Sequence, residues 1–234
     1  MEVFENIQQQ TPEWFKLKWG KIGGTASSGL LIDTDTLLID ILSQRSEDYV
    51  HVETYKSDAM IRGNELEPLA RAWAEEFAGV EFQEVGWIQS SDNELLGMSP
   101  DGISKDRKTQ IEIKCFERKE HYRVVTEDDI PKKYLPQCLH AFTVNPKLER
   151  LFWVAYRPES PRHYIKELKK STVLDLGWKK KEEVPQFGVK GQPIKPKIVT
   201  SPDLKTISEW AEIARQKGKE FLEEVKEVES TVFF

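Results

Sequence analysis

Two cysteines, Cys115 and Cys138, are the only thiols in the 234-residue chain. That excludes a disulfide framework and a four-thiolate cluster, and leaves both best read as small core residues. The four histidines, His51, His121, His140 and His163, show no metal-ligand spacing, which argues against a zinc site. No stretch approaches the roughly 18 apolar residues of a membrane-spanning helix. The amino end, Met1-Glu-Val-Phe-Glu-Asn, is acidic and has no basic flank with an apolar run behind it, so no secretory signal is expected. Excess positive charge is missing too: 34 Lys and Arg against 40 Asp and Glu leave a net charge of -6. This weighs little against nucleic acid, because binding depends on local patches and bound cations. Repeats and low-complexity tracts are absent. Aromatic residues, at 10%, are plentiful enough for a core despite the charge. The expectation is a soluble, intracellular chain forming one large α/β or α+β domain over 1–234.

Start and stop signals divide that domain. Thr11-Pro12-Glu13 predicts a helix that Gly20 ends, followed by a turn at Gly23-Gly24-Thr25. A second helix start falls at Ala26–Leu31, and a third helix runs from Asp35 or Thr36 through Leu42. Apolar spacing predicts the best-defined helix over about 57–78, although Gly63 and Pro68 interrupt it. After Gly79 the pattern turns to strands, at 82–89, 94–99 and 110–116. A helix at 133–144, a strand at 150–156 and its partner at 163–168 follow. Residues 171–200 read as a basic, turn-rich loop or arm, with Lys179, Lys180, Lys181, Lys190, Lys195 and Lys197 near Trp178. Ser201-Pro202-Asp203 then predicts the start of a closing helix running to about Val228.

The most informative stretch is Ser99-Pro-Asp-Gly followed by Ile111-Glu-Ile-Lys-Cys. Alternate strand residues share a face, so Glu112 and Lys114 stand together while Ile111 and Ile113 pack on the other side. Asp101 enters from the preceding hairpin. Two acids of this kind can hold Mg²⁺ or Mn²⁺ through hard oxygen ligands, and the lysine can position and activate a water for phosphodiester cleavage. Each piece also has a plain reading. Ser-Pro-Asp-Gly is a good turn sequence, and Glu-x-Lys on an exposed strand is usually a solvated pair. Likewise Glu67 reads alone as a helix carboxylate paired with Arg71 at i+4, and Gln137 as a surface amide. Gly23-Gly24 is either a connecting turn or an anion nest.

The string Asp101…Glu112-Ile-Lys114 is similar to the Asp…Glu-x-Lys signature of restriction-endonuclease-like nucleases. Arg62-Gly-Asn-Glu-Leu-Glu67 resembles the upstream helix motif of the lambda-exonuclease/YqaJ group of phage recombinases. Trp14-Phe-Lys-Leu-Lys18-Trp-Gly-Lys-Ile-Gly-Gly-Thr25 is similar to that group's amino-terminal helix and turn, and Tyr134-Leu-Pro-Gln137 and the strand at 150–156 follow in the same order. The likeness spans about residues 11–157. It departs at Leu139, where the group carries a second Gln, and at Lys18 and Thr25, where Arg and Ser are usual.

The resemblance implies a restriction-endonuclease-like α/β core, a central mixed sheet flanked by helices. It implies a Mg²⁺- or Mn²⁺-dependent exonuclease, with two ions, that degrades one strand of double-stranded DNA from its 5′ end. The 3′ overhangs so made would serve recombination by a single-strand annealing protein, in the cytoplasm of a bacterial host. It implies a homo-oligomer, a trimeric ring, with no membrane association. Glu67, Asp101, Glu112 and the carbonyl of Ile113 would be metal ligands. Lys114 would activate the nucleophile and Gln137 would orient groups near it. Lys18, Gly23, Gly24, Thr25 and Ser27 would bind the 5′-phosphate, and Lys179, Lys180 and Lys181 are a candidate DNA arm. An endonuclease of the same superfamily and a non-catalytic DNA-end-binding protein are the alternatives.

Overall fold

The structure is a computed structural model that describes residues 1–52, 56–187 and 193–232. Lys190, part of the basic arm read from the sequence, lies outside them. Nine strands and seven α-helices are described: β1 (Glu2–Phe4), α1 (Pro12–Lys18), α2 (Gly29–Ile32), α3 (Thr34–Arg45), α4 (Asp58–Ala78), β2 (Trp87–Gln89), β3 (Gly97–Met98), β4 (Gly102–Ile103), β5 (Thr109–Cys115), α5 (Arg118–Glu127), α6 (Leu135–Val144), β6 (Arg150–Tyr156), β7 (Tyr164–Lys169), β8 (Val173–Phe187), β9 (Pro193–Thr206) and α7 (Ile207–Val232). The expected α/β class and mixed sheet are present. A four-stranded sheet runs β4-β5-β6-β7, with β5 and β6 parallel and the outer pairs antiparallel. A smaller antiparallel sheet, β1-β2-β3, stands beside it.

The helix boundaries follow from local chemistry. Thr11 caps α1 by accepting from Trp14 N, with Pro12 in the first turn. Ser57 caps α4 in the same way, and Gly79 ends it at φ +63°, a left-handed stop that costs glycine nothing. Ala70 and Ala74 are fully buried, so α4 lies close on the sheet face formed by Ile111, Ile113, Phe152 and Val154. The opposite face packs on α6, which is backed by α7. Thus β5 is covered on both sides, and the polar side chains that alternate with its isoleucines point into the protein.

Several boundaries differ from the sequence reading: the strands expected at 82–89 and 94–99 are reduced to β2 and β3. The arm at 171–200 is a long two-stranded ribbon, β8 paired with β9, in which Lys181 faces Thr200 and Lys179 faces Pro202. Such a ribbon consists of edges, where proline is tolerated, so Pro185, Pro196 and Pro202 do not break it. The start signal at Ser201-Pro202-Asp203 therefore falls inside β9, and the closing helix begins at Ile207. Its cap is Thr206-Ile-Ser-Glu209: Thr206 N donates to Glu209 Oε2 at 2.8 Å while Glu209 N donates to Thr206 Oγ1 at 3.2 Å. The helix α5 had no signal, because only His121 and Val124 of its ten residues are buried.

Candidate active site

The site arises where β4 starts late. Gly102 pairs with Ile111, so on that side the edge of β5 beyond Ile111 has no strand partner. Asp101, the residue before β4, fills the gap: Ile113 N donates to Asp101 Oδ2 at 2.6 Å. In a strand the N–H and C=O of one residue point to the same edge, which directs the Ile113 carbonyl toward the Asp101 side. Three side chains clamp the hairpin carrying Asp101. Gln9 Nε2 donates to Pro100 O at 2.9 Å, Trp14 Nε1 to Ser99 Oγ at 2.7 Å, and Arg71 Nε to Asp101 O at 2.8 Å.

Glu112 is only 4% exposed, and one of its oxygens, Oε1, accepts both Lys114 Nζ at 2.6 Å and Gln137 Nε2 at 2.5 Å. Glu67 reaches the site from α4, with its Oε1 held by Arg71 at 2.7 Å. The i+4 pairing of the plain reading is therefore real, and it places Glu67 beside Asp101 rather than out in solvent. Burial, then the charge of Asp101, pushes the Glu112 carboxyl up to about 7. Glu67 rises to about 7 for the same two reasons, against the pull of Arg71. Burial also raises Asp101, against Lys114 and the Ile113 N–H. Burial alone would depress the Lys114 ammonium, but the Glu112 and Asp101 charges outweigh it and push it up.

Three desolvated acids thus compete for two cations, Lys114 and Arg71. The donor set consists of hard oxygens whose ionised forms are raised in energy, which suits a divalent cation. Among the described residues no three His, Cys, Asp or Glu side chains yet surround a common point, since each acid is turned to a protein donor. The fit is therefore one of chemistry and neighbourhood. Both thiols are pushed up by burial, Cys115 to about 12, in keeping with a packing role.

Two clefts meet here, and Trp14 and Lys18 line both. One, of about 540 Å³, is bounded by Glu67, Asp101, Ile113 and Lys114. The other, of about 350 Å³, is bounded by Lys21, Gly23, Gly24, Thr25, Glu112 and Gln137. Lys18 Nζ sits 4.0 Å from the centre of the Trp14 ring, and burial lowers its pKa. Among the described residues the N–H groups of Gly23, Gly24 and Thr25 donate to no acceptor. Gly24 permits the turn to lie on α6, since a Cβ there would stand 2.9 Å from Gln137 Cγ. Ser27, grouped by the sequence reading with the phosphate ligands, is buried. Its hydroxyl donates to Gly24 O at 2.6 Å and lies 3.3 Å from Pro136 O, so it ties the turn to α6 instead of facing a cleft.

The sequence reading missed Gln9, Lys21 and the second duty of Arg71. Lys21, three residues after Lys18, had a signal in its spacing, and its Nζ donates to Gln89 Oε1 at 2.9 Å. Gln9 had none. On the exposed ribbon, Lys179, Lys181 and Glu183 occupy alternate positions and so share a face, while Lys195 and Lys197 are exposed on β9. These lysines stand apart from both clefts.

With this geometry in place, comparisons with known proteins bear on it. No curated protein matches the chain. Among solved structures, an alkaline exonuclease (LHK-Exo) from Laribacter hongkongensis superposes with a TM-score of 0.66 at 21% identity, covering 94% of this chain and 96% of that one. LHK-Exo in complex with dAMP gives 0.64 at 20% identity, covering 94% and 97%. These likenesses establish a shared fold, restriction-endonuclease-like, through almost the whole of both chains. The profile of the YqaJ-like viral recombinase domain matches residues 13–146, the stretch that contributes Trp14, Lys18, Glu67, Asp101, Glu112, Lys114 and Gln137, and the chain belongs to that family.

Proposed function

We propose that the protein is a Mg²⁺- or Mn²⁺-dependent exonuclease that degrades one strand of duplex DNA from its 5′ end. The observation that carries this reading is the convergence of Glu67, Asp101, Glu112 and Lys114 at the open edge of β5, beside a cleft that ends in Lys18 and free turn amides. Family membership and the shared fold with an alkaline exonuclease, solved also with dAMP, support it.

Glu67, Asp101, Glu112 and the Ile113 carbonyl would hold the ions, two in number. Bound there, the cations would supply charge to stabilise the pentacovalent phosphorus of the transition state. Lys114 Nζ, fixed by Glu112, orients a water toward the phosphodiester seated at the carboxylates and assists its deprotonation. Gln137 holds Glu112 in its rotamer, and Trp14 and Arg71 hold the Asp101 hairpin. Lys18 and the amides of Gly23, Gly24 and Thr25 take a terminal 5′-phosphate, because a dianion gains more from a cation and convergent N–H groups than an internal diester does. Lys179, Lys180 and Lys181 lie on the arm that would touch backbone phosphates outside the clefts. The 3′ overhangs pass to a single-strand annealing protein, and the working form is a trimeric ring.

Digestion of linear duplex labelled separately at each end tests this. Release of mononucleotides from the 5′ label, abolished by chelator, is the expected result. Full turnover without metal, or cutting of covalently closed circles, would overturn it.

A further inference from the structure

Beyond the carboxylates lies a group of four charges that the proposed chemistry does not use. Arg62 comes from the first turns of α4 and Arg157 from the residue after β6. Glu117 precedes α5, and Glu159 sits in the turn between β6 and β7. All but Arg62 lie just past the carboxyl ends of the parallel pair β5–β6, the end at which open α/β sheets place ligands. Lys114 is level with Ala155, so Arg157 is two residues, about 7 Å, farther along the strand direction. The cleft holding Lys114 and Asp101 extends to Cys115, Phe116 and Gly63, the sequence neighbours of this group.

The two kinds of charge are unequally held. The Arg62 and Arg157 side chains are 24% and 15% exposed, whereas Glu117 and Glu159 are 72% and 54% exposed. Both guanidinium groups share the same two carboxylates, at 3.1 to 3.9 Å, and a single one of these contacts, Arg62 to Glu159 at 3.1 Å, is a hydrogen bond. Arg62 Nε and Arg157 Nη1 are buried donors with no hydrogen-bond partner. Unpaired buried donors are costly, while exposed carboxylates on loops are released cheaply. A planar guanidinium pair with spare donors matches a tetrahedral oxyanion better than two distant carboxylates.

We propose that Arg62 and Arg157 form a second anion site, for a backbone phosphate of the DNA strand in the cleft, which Glu117 and Glu159 cover until DNA displaces them. The inference rests on the reading of the protein as a DNA nuclease, and it adds a phosphate contact beyond the carboxylates.

The test is equilibrium binding of a linear duplex in chelating buffer across a salt series. Replacing both arginines, Arg62→Gln with Arg157→Gln, raises Kd about tenfold and flattens the salt slope by roughly 0.9, the share of one phosphate. Glu117→Gln with Glu159→Gln, which spares the buried side chains, tightens binding about fivefold. The fourfold variant loses that gain, because the acids act only through the arginines. Glu76→Gln with Glu127→Gln, two exposed acids elsewhere, serves as the control for general charge. A gain no larger than the control's, or an arginine variant with wild-type Kd and slope, overturns the site while leaving the nuclease reading intact. Failure of the wild-type protein to bind duplex at all overturns both.

Discussion

The edge of β5 and the β8–β9 ribbon carry similar kinds of side chain in opposite circumstances. At the edge, Glu112, Lys114 and Asp101 are buried or nearly so, and their partners are fixed to within 2.6 Å. Along the ribbon, Lys179, Lys181, Lys195 and Lys197 are exposed, and Glu183 interrupts their sign. In the first setting desolvation magnifies each charge and makes its loss expensive. In the second, water and salt reduce each charge to a small, additive increment. On the proposed function, the difference separates groups that would perform the reaction from groups that would at most retain the substrate.

Substitutions at the two regions should therefore differ by orders of magnitude. Lys114→Ala is expected to lower kcat by roughly 10²–10⁴ while duplex binding persists. Asp101→Ala and Glu112→Ala should be equally inactive and should also lose metal affinity, measured by calorimetric titration with Mn²⁺. A Lys114 variant with full kcat and weakened binding would move that residue to the retaining class. Next in size is Lys18→Ala, which should reduce the preference for 5′-phosphorylated over 5′-hydroxyl ends about tenfold. An unchanged ratio of kcat/KM for the two ends would remove Lys18 from the phosphate pocket.

A third prediction concerns pH. The Glu112 carboxyl stands at about 7 in the fold, above the ordinary carboxylate range, so the metal-free folded protein holds this proton more tightly than the unfolded chain. That contribution to stability is complete below about pH 4.5 and is lost as pH rises through about 7. The metal-free Tm should fall more between pH 5 and pH 8 in wild type than in Glu112→Gln, and Mg²⁺ should restore it in wild type at pH 8. Parallel curves would mean that Glu112 is not strained. The smallest effect belongs to the ribbon. Replacing Lys179, Lys180 and Lys181 with Ala should flatten the salt slope by about 0.9 per phosphate contacted and reduce processivity without slowing the first cut. A slope equal to wild type would take DNA off the ribbon.

The same contrast explains what the sequence made legible. The strand at 150–156 could be read because it is an unbroken apolar run buried on both faces, and the helix over 58–78 because its apolar residues recur at helical spacing. The shared face of Glu112 and Lys114 followed from the two-residue strand period alone. The ribbon could not be read, since its prolines, glycines and lysines match a loop equally well and, past the buried Leu174 and Leu176 at its base, few of its described side chains are covered. The true start of α7 was present as Thr206…Glu209, but Ser201-Pro202 offered a similar signal five residues earlier. Gln9 illustrates what no local pattern reveals: its amide bridges Val85 O and Pro100 O, 76 and 91 residues away. Arg71 was visible as an i+4 partner, yet its bond to Asp101 O exists only once the hairpin has folded onto α4.

The late start of β4 has one more consequence. At Ile113 a ladder bond to a backbone carbonyl is replaced by a bond to a carboxylate. A carbonyl in a strand is fixed by the chain on either side, whereas a carboxylate can rotate and can exchange a proton or a cation. The last residues of β5 are thus held by a joint whose strength depends on what Asp101 is bound to. If the proposed cation draws Asp101 away, the Ile113 amide should lose this bond and exchange faster, a change readable by hydrogen exchange at a single backbone position.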